Sequence, residues 1–265
     1  MSWAILRATL RQRRWSMLWY SLGLMFYSWV MVWFWPQFGE TGYVELLENM
    51  PPELIALLGS SAEDFGSLGG YFETEYLGLM WILIVSSAVI LYSVKAVASE
   101  VVAGTLELTL AQPVSRASFI LARIAGLIVV STLLTVATFG TIQVFGPMYG
   151  IDLGARTFAL LYGAGFLFIL AVGGFALALS AGARDVGRPV AVAGGVLGAM
   201  WLAHMLAEVS EVAKWFEPFN LLKYWRPAEI INDRTVGAEV WWVLTGVVVT
   251  SLAVTFVRFM RRDVA

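Results

Sequence analysis

The chain has 265 residues, 59% of them hydrophobic and 14% charged, with a mean hydropathy of +0.77. Soluble domains carry about a quarter charged residues, so neither a free-standing soluble enzyme nor an intrinsically disordered chain fits this composition. The absence of cysteine excludes a disulfide scaffold, a zinc ribbon and a thiol nucleophile, a single histidine leaves no His-rich metal site, and a net charge of −2 gives nucleic acid no electrostatic basis.

Residues 1–14 mix Trp3, Ile5, Leu6 and Leu10 with Arg7, Arg11, Arg13 and Arg14. That pattern predicts a short basic amphipathic helix lying on the inner membrane face. A bilayer core needs about 20 apolar residues per helix. Six stretches meet that need: residues 15–35, 76–98, 119–145, 157–181, 190–207 and 240–257. The first is too long for a typical signal-peptide core, and no small-residue cleavage site follows it, so it is read as a retained span. All eight prolines (36, 51, 52, 113, 147, 189, 218 and 227) fall between the spans or at their edges. A proline inside a helix would remove a hydrogen bond and clash with the preceding turn.

Lys and Arg set the orientation. With the N-terminus inside, twelve of the seventeen basic residues are cytoplasmic: Arg7, Arg11, Arg13, Arg14, Lys95, Arg116, Arg123, Arg184, Arg188, Arg258, Arg261 and Arg262. Of the acidic residues only Glu100, Glu107, Asp185 and Asp263 fall on that side. Both termini are therefore predicted to be cytoplasmic. No Asp, Glu, Lys or Arg falls in the middle of a span, and Lys95 and Arg123 are close enough to the inner ends to snorkel. Proton-coupled carriers and charge-lined channels keep ionisable groups at membrane depth, so this pattern argues against both. Gly194 and Gly198 give the fifth span a G-x-x-x-G spacing, which permits close helix approach within the chain or between two chains.

The outer loop of residues 36–75 holds eight acidic and no basic residues, and residues 208–239 mix aromatic with charged side chains and are expected to lie against the outer membrane face. The inner loop runs Glu100-Val-Val-Ala-Gly-Thr-Leu-Glu-Leu-Thr-Leu-Ala-Gln-Pro-Val-Ser-Arg116. Val102, Leu106 and Leu110 are four residues apart, the spacing of one helical stripe. A lone strand at a membrane surface would lack pairing partners, so a short helix ending before Pro113 is expected. Its exposed apolar stripe, with Glu107 and Arg116, suits a protein partner.

This segment resembles the membrane subunits of ABC-2 type ABC transporters. The resemblance rests on Glu100 ending the second span, the run Gly104-Thr105-Leu106-Glu107, and Pro113-Val114-Ser115-Arg116 before the third span. The Pro-Glu-Leu…Leu-Leu-Gly run of residues 52–59 and the closing Arg261-Arg262-Asp263 support it, and it extends over the whole chain as a single transmembrane domain, residues 1–265. At Arg123 the family usually has a lysine. The resemblance implies an all-α integral membrane protein with six transmembrane helices, both termini cytoplasmic, a short amphipathic N-terminal helix, and a cytoplasmic coupling helix between helices 2 and 3. It also implies that residues 100–116 dock on a separate ATPase subunit, and that the second and fifth spans line a translocation path. Candidate path residues are Tyr76, Trp81, Tyr92, Met200, Trp201, His204 and Met205. Their apolar and aromatic character suits a hydrophobic or amphipathic cargo.

ATP chemistry is expected elsewhere. A P-loop needs Gly-Lys followed by Ser or Thr, and the chain's lysines, Lys95, Lys214 and Lys223, do not follow glycine. No cofactor is expected on this chain; ATP and Mg2+ would sit on the partner ATPase, and a second permease subunit would complete the path in a plasma (inner) membrane. Two other readings differ in class. One is a non-transporting assembly or anchoring subunit. The other is a lipid-modifying enzyme, for which His204 and Glu208, one helical turn apart, are the candidate pair.

Overall fold

The structure is a computed structural model that describes residues 3–38, 66–105, 115–207 and 214–262. Within them the regular structure is all helical. Six helices are long and apolar enough to cross a membrane: α1 (Trp3–Phe38), α3 (Met80–Val102), α4 (Arg116–Phe145), α5 (Gly154–Gly182), α6 (Gly187–Ala207) and α8 (Ala238–Met260). Two short helices, α2 (Leu68–Phe72) and α7 (Pro227–Asp233), belong to the connections.

The hydrophobic stretches predict where the spans are, and the helices extend past them at most ends. Backbone hydrogen bonding does not stop where hydropathy falls. The largest difference is in α1. The amphipathic segment expected over residues 1–14 as a separate helix is continuous with the first span. Residues 3–22 contain neither proline nor glycine, so nothing in the sequence breaks the backbone ladder near Trp15. At about 1.5 Å per residue the 36-residue helix is about 54 Å long. Pro36 falls in its last turn.

Helix α5 is the central element, packed against α3, α4 and α8. In its most apolar stretch 78% of residues are buried, against 11% in α6. Small residues make this centre possible. A Cβ at Gly173 would lie 2.5 Å from Val89 Cγ2 and 2.6 Å from Leu127 Cδ1, and one at Gly165 would lie 2.6 Å from Phe139 Cε2. These glycines let α3 and α4 approach the α5 backbone. The glycines of α6 behave differently: Gly194, Gly195 and Gly198 have open space where a Cβ would stand.

The connection between α6 and α8 does not simply lie on the membrane face. Its first described residues, Trp215, Phe216 and Phe219, are exposed, whereas Leu221, Leu222, Tyr224, Trp225, Ile230 and Ile231 are buried in the bundle. Trp225 stacks on Trp81 with ring centroids 4.6 Å apart and donates its indole N–H to the Leu77 carbonyl at 2.9 Å. Trp81 in turn donates to Thr138 Oγ1 at 2.9 Å. Both indole donors are thus satisfied inside an apolar box completed by Phe139 and Phe168. Beside it α2 meets α7. The Gly69 N–H donates to Asn232 Oδ1 at 3.0 Å, and the Ala228 N–H donates to Glu73 Oε2 at 2.7 Å. That carboxylate serves one of the unpaired amides in the first turn of α7.

Candidate functional site

The segment from Glu100 to Arg116 joins α3 to α4, and both of its anchors have a clear local cause. Helix α3 ends because Gly104 adopts φ +66°, a left-handed turn that residues with a Cβ resist. There the Gly104 N–H donates to the Val101 carbonyl at 3.1 Å and the Ala103 N–H to the Ser99 carbonyl at 3.0 Å. Thr105 Oγ1 donates to the Glu100 carbonyl at 3.3 Å. Helix α4 begins because Ser115 is its N-cap, with Oγ accepting the Ser118 N–H at 3.1 Å. The glycine of Gly104-Thr105 and the serine of Ser115-Arg116 thus mark where the inner loop leaves and rejoins the bundle. Leu106, Glu107, Pro113 and Val114 lie outside the described residues, and with them the expected coupling helix.

Arg116 does not simply project from the loop. Its Nη1 donates to the Arg262 carbonyl at 2.7 Å, tying the start of α4 to the end of α8. Arg123, two turns further on, departs more clearly from expectation. A snorkelling cation would reach the membrane surface. Arg123 is instead buried and forms an ion pair with Glu100, and it also donates to Thr9 Oγ1 of α1. The ring of Phe119 lies under the guanidinium, 4.7 Å from its centre. The physical reason is the carboxylate across the helix interface, which offers a partner without the journey to the surface. Arg13 of α1 adds a hydrogen bond to the Lys95 carbonyl at 3.0 Å. Three helices, α1, α3 and α4, are therefore joined by one polar cluster directly beside the inner loop. Sequence reasoning singled out Glu100 and noted Arg123, but it did not pair them.

The path candidates separate into two groups. Tyr76, Trp81 and Tyr92 of the second span are buried within the single protomer. Tyr76 exchanges a hydrogen bond with Ser28 of α1 at 2.7 Å, and the Tyr92 hydroxyl occupies the space beside Gly126. Met200, Trp201, His204 and Met205 lie on α6, partly covered. Met200 also lines a cavity of about 310 Å3 between α5, α6 and α8. The two groups do not share one surface of the protomer. Of the proposed enzyme pair, Glu208 lies outside the described residues.

Six long apolar helices, one of them enclosed by its neighbours, define a multi-pass membrane protein. The model of the ABC-2 family transporter proteins matches residues 6–264. The chain belongs to that family. No curated protein matches the sequence significantly. Membership makes the chain the membrane component of a transporter, without an ATPase domain of its own, and it implies an ATPase subunit as partner. The lipid-enzyme reading is set aside on the same ground.

Proposed function

We propose that this chain is the permease half of an ATP-driven exporter, in which two six-helix subunits, identical or related, enclose a path and two ATPase subunits bind below. Family membership over residues 6–264 carries the reading. The bias of Arg and Lys toward one end supports an orientation with both termini cytoplasmic. In this arrangement residues 100–116 receive the movement of the ATPase, with Glu100, Gly104, Thr105, Leu106, Glu107, Pro113, Val114, Ser115 and Arg116 as coupling residues. The Glu100–Arg123 pair and the Arg116–Arg262 contact support that role, because they fasten both ends of the loop to the bundle.

Helix α6 is the element that meets the second subunit. Its glycine face is open, and an apolar helix so little covered by its own chain has room for a partner. Met200, Trp201, His204 and Met205 then face or border the path. Tyr76, Trp81 and Tyr92 shape it from behind as the packed wall of each protomer. The apolar and aromatic lining suits a hydrophobic or amphipathic cargo, moved outward.

The test is purification from native membranes in mild detergent. A stoichiometric companion chain carrying G-x-x-x-x-G-K-[ST] is expected. Vesicles reconstituted with both chains should then move cargo only with ATP. Failure of transport in an intact complex would favour an assembly or anchoring subunit.

A further inference from the structure

At the end of the bundle where α1 begins and α8 ends, α5 turns into α6 beside the last turns of α8. A pocket of about 460 Å3 opens there, lined among others by Arg184 and Asp185 of the turn, Arg188 in the first turn of α6 and Arg258 of α8. Three guanidinium groups face one carboxylate, and that carboxylate is engaged. Asp185 Oδ1 accepts the Arg188 backbone N–H at 2.7 Å, and Oδ2 lies 3.8 Å from Arg188 Nε. Arg258 reaches the Ala178 carbonyl at 3.4 Å. Arg184 has no ion pair or hydrogen bond among the described residues. Next to the pocket Arg262 donates to the carbonyls of Ala181 and Ala183 at 2.9 and 2.7 Å. Burial, with a smaller contribution from the nearby charge of Arg184, pulls the Arg262 guanidinium below its ordinary value.

The same three helices, together with Pro218, Phe219, Leu221 and Tyr224 of the α6–α8 connection, line the cavity of about 310 Å3 further into the bundle. The two spaces follow one another along the helices. Leu179 and Val192 border the basic pocket, whereas Phe175, one turn along α5, and Ala193, the next residue of α6, border the cavity. The side chains lining it from the three helices are all apolar. The polar groups at its rim are already used: the Tyr224 hydroxyl donates to the Pro218 carbonyl at 2.9 Å, and the Met200 carbonyl accepts from Asn220 Nδ2 at 2.6 Å. Nothing there asks for a hydrogen bond.

We propose that this groove binds one anionic phospholipid, with its phosphate at Arg184, Arg188 and Arg258 and an acyl chain laid between α5, α6 and α8. Guanidinium groups hold phosphate oxygens through paired charge-assisted hydrogen bonds. Basic pockets between helices at the membrane surface suit anionic headgroups. A cavity whose helical side chains are all apolar, at the small end of the ligand-pocket range, takes hydrocarbon. The order matters: charge lies at the end of the bundle and apolar space lies deeper, as in a lipid lying along the membrane normal. A free phosphate would use only the first half. The site is complete within one protomer and does not depend on the export reading.

The full-length chain, purified in non-ionic detergent, is titrated with dioleoyl phosphatidylglycerol or dioleoyl phosphatidylcholine and followed by native mass spectrometry. One phosphatidylglycerol is expected to stay bound, in clear preference to phosphatidylcholine. R184Q/R188Q should weaken retention about thirty-fold, roughly fivefold for each charge removed, whereas R184K/R188K, which keeps both charges, should stay much closer to wild type. Ala193→Phe, which fills the cavity, should weaken retention without touching an arginine. Equal retention of phosphatidylcholine would overturn the proposal. So would an equal loss in R7Q/R11Q, which removes two exposed charges near the same end, because binding would then be general surface attraction. Displacement of the lipid by glycerol 3-phosphate at equal concentration, or full retention in Ala193→Phe, would reduce the site to an anion pocket and overturn the lipid assignment.

Discussion

Arg123 of α4 crosses to Glu100 at the end of α3 and closes an ion pair there, while the same guanidinium donates to Thr9 of α1. The two partners are not equally enclosed: the Arg123 side chain keeps 5% of its accessible surface and that of Glu100 keeps 21%. Removing one charge therefore differs from removing the other. Glu100→Gln leaves a buried cation without a counter-charge and should cost about 3–5 kcal/mol. Arg123→Leu leaves a carboxylate that can turn toward water and should cost less, about 1–2 kcal/mol. Thermal melting in detergent checks the order, and a lower melting point for Arg123→Leu than for Glu100→Gln would contradict this account of the cluster.

The stacked indoles give a second expectation. Trp225→Ala empties a buried site against Trp81, Phe139 and Phe168 and should destabilise by about 3–5 kcal/mol. Trp225→Phe keeps most of the ring but leaves the Leu77 carbonyl without its donor. About 1–2 kcal/mol is expected for that loss. Equal melting points for the two variants would mean that the box contributes little through packing.

Glycines on α5 and α6 should answer differently to the same substitution. Gly173→Ala places a methyl against Val89 and Leu127 and should cost about 1–3 kcal/mol through overpacking. Gly198→Ala meets nothing in the protomer and should leave melting of the isolated chain unchanged or slightly raised. Gly198→Leu then probes the proposed contact with a second subunit: loss of the dimer on size-exclusion light scattering with intact folding is expected. A dimer as stable as wild type would remove α6 from the interface.

The proposed coupling role of the inner loop can be tested directly. Leu106→Glu or Glu107→Ala should lower transport per ATP hydrolysed by about tenfold, within the range of energies by which single residues alter coupling, with insertion and yield unchanged. Measured transport and hydrolysis in the same vesicles give the ratio. An unaltered ratio in both variants would count against docking by this loop.

The long elements were legible because a membrane span must satisfy its own backbone and be apolar over most of its length. The second requirement is visible as hydropathy runs, with every proline between them or at their edges. The boundary residues of the inner loop were legible for local reasons as well: Gly104 and Ser115 act within a few residues of themselves. What stayed hidden depends on partners distant in sequence. Arg123 looks like a surface cation until Glu100, 23 positions earlier, is placed beside it. Trp225 looks interfacial until Leu77, 148 positions away, accepts its N–H. The division of the path candidates was hidden for the same reason, since a tryptophan in a span has one composition signature whether it faces a neighbour or an opening.

The unbroken course of α1 has a mechanical consequence. Near one end it is tied to Arg123 through Thr9 and to the Lys95 carbonyl through Arg13. Toward the other, the Met31 carbonyl accepts the Tyr71 hydroxyl at 3.0 Å and Tyr27 donates to the Glu75 carbonyl at 3.3 Å. Fastened near both ends, the stiff rod of about 54 Å holds the polar cluster beside the inner loop and the Tyr71 and Glu75 contacts of the opposite end at one fixed separation.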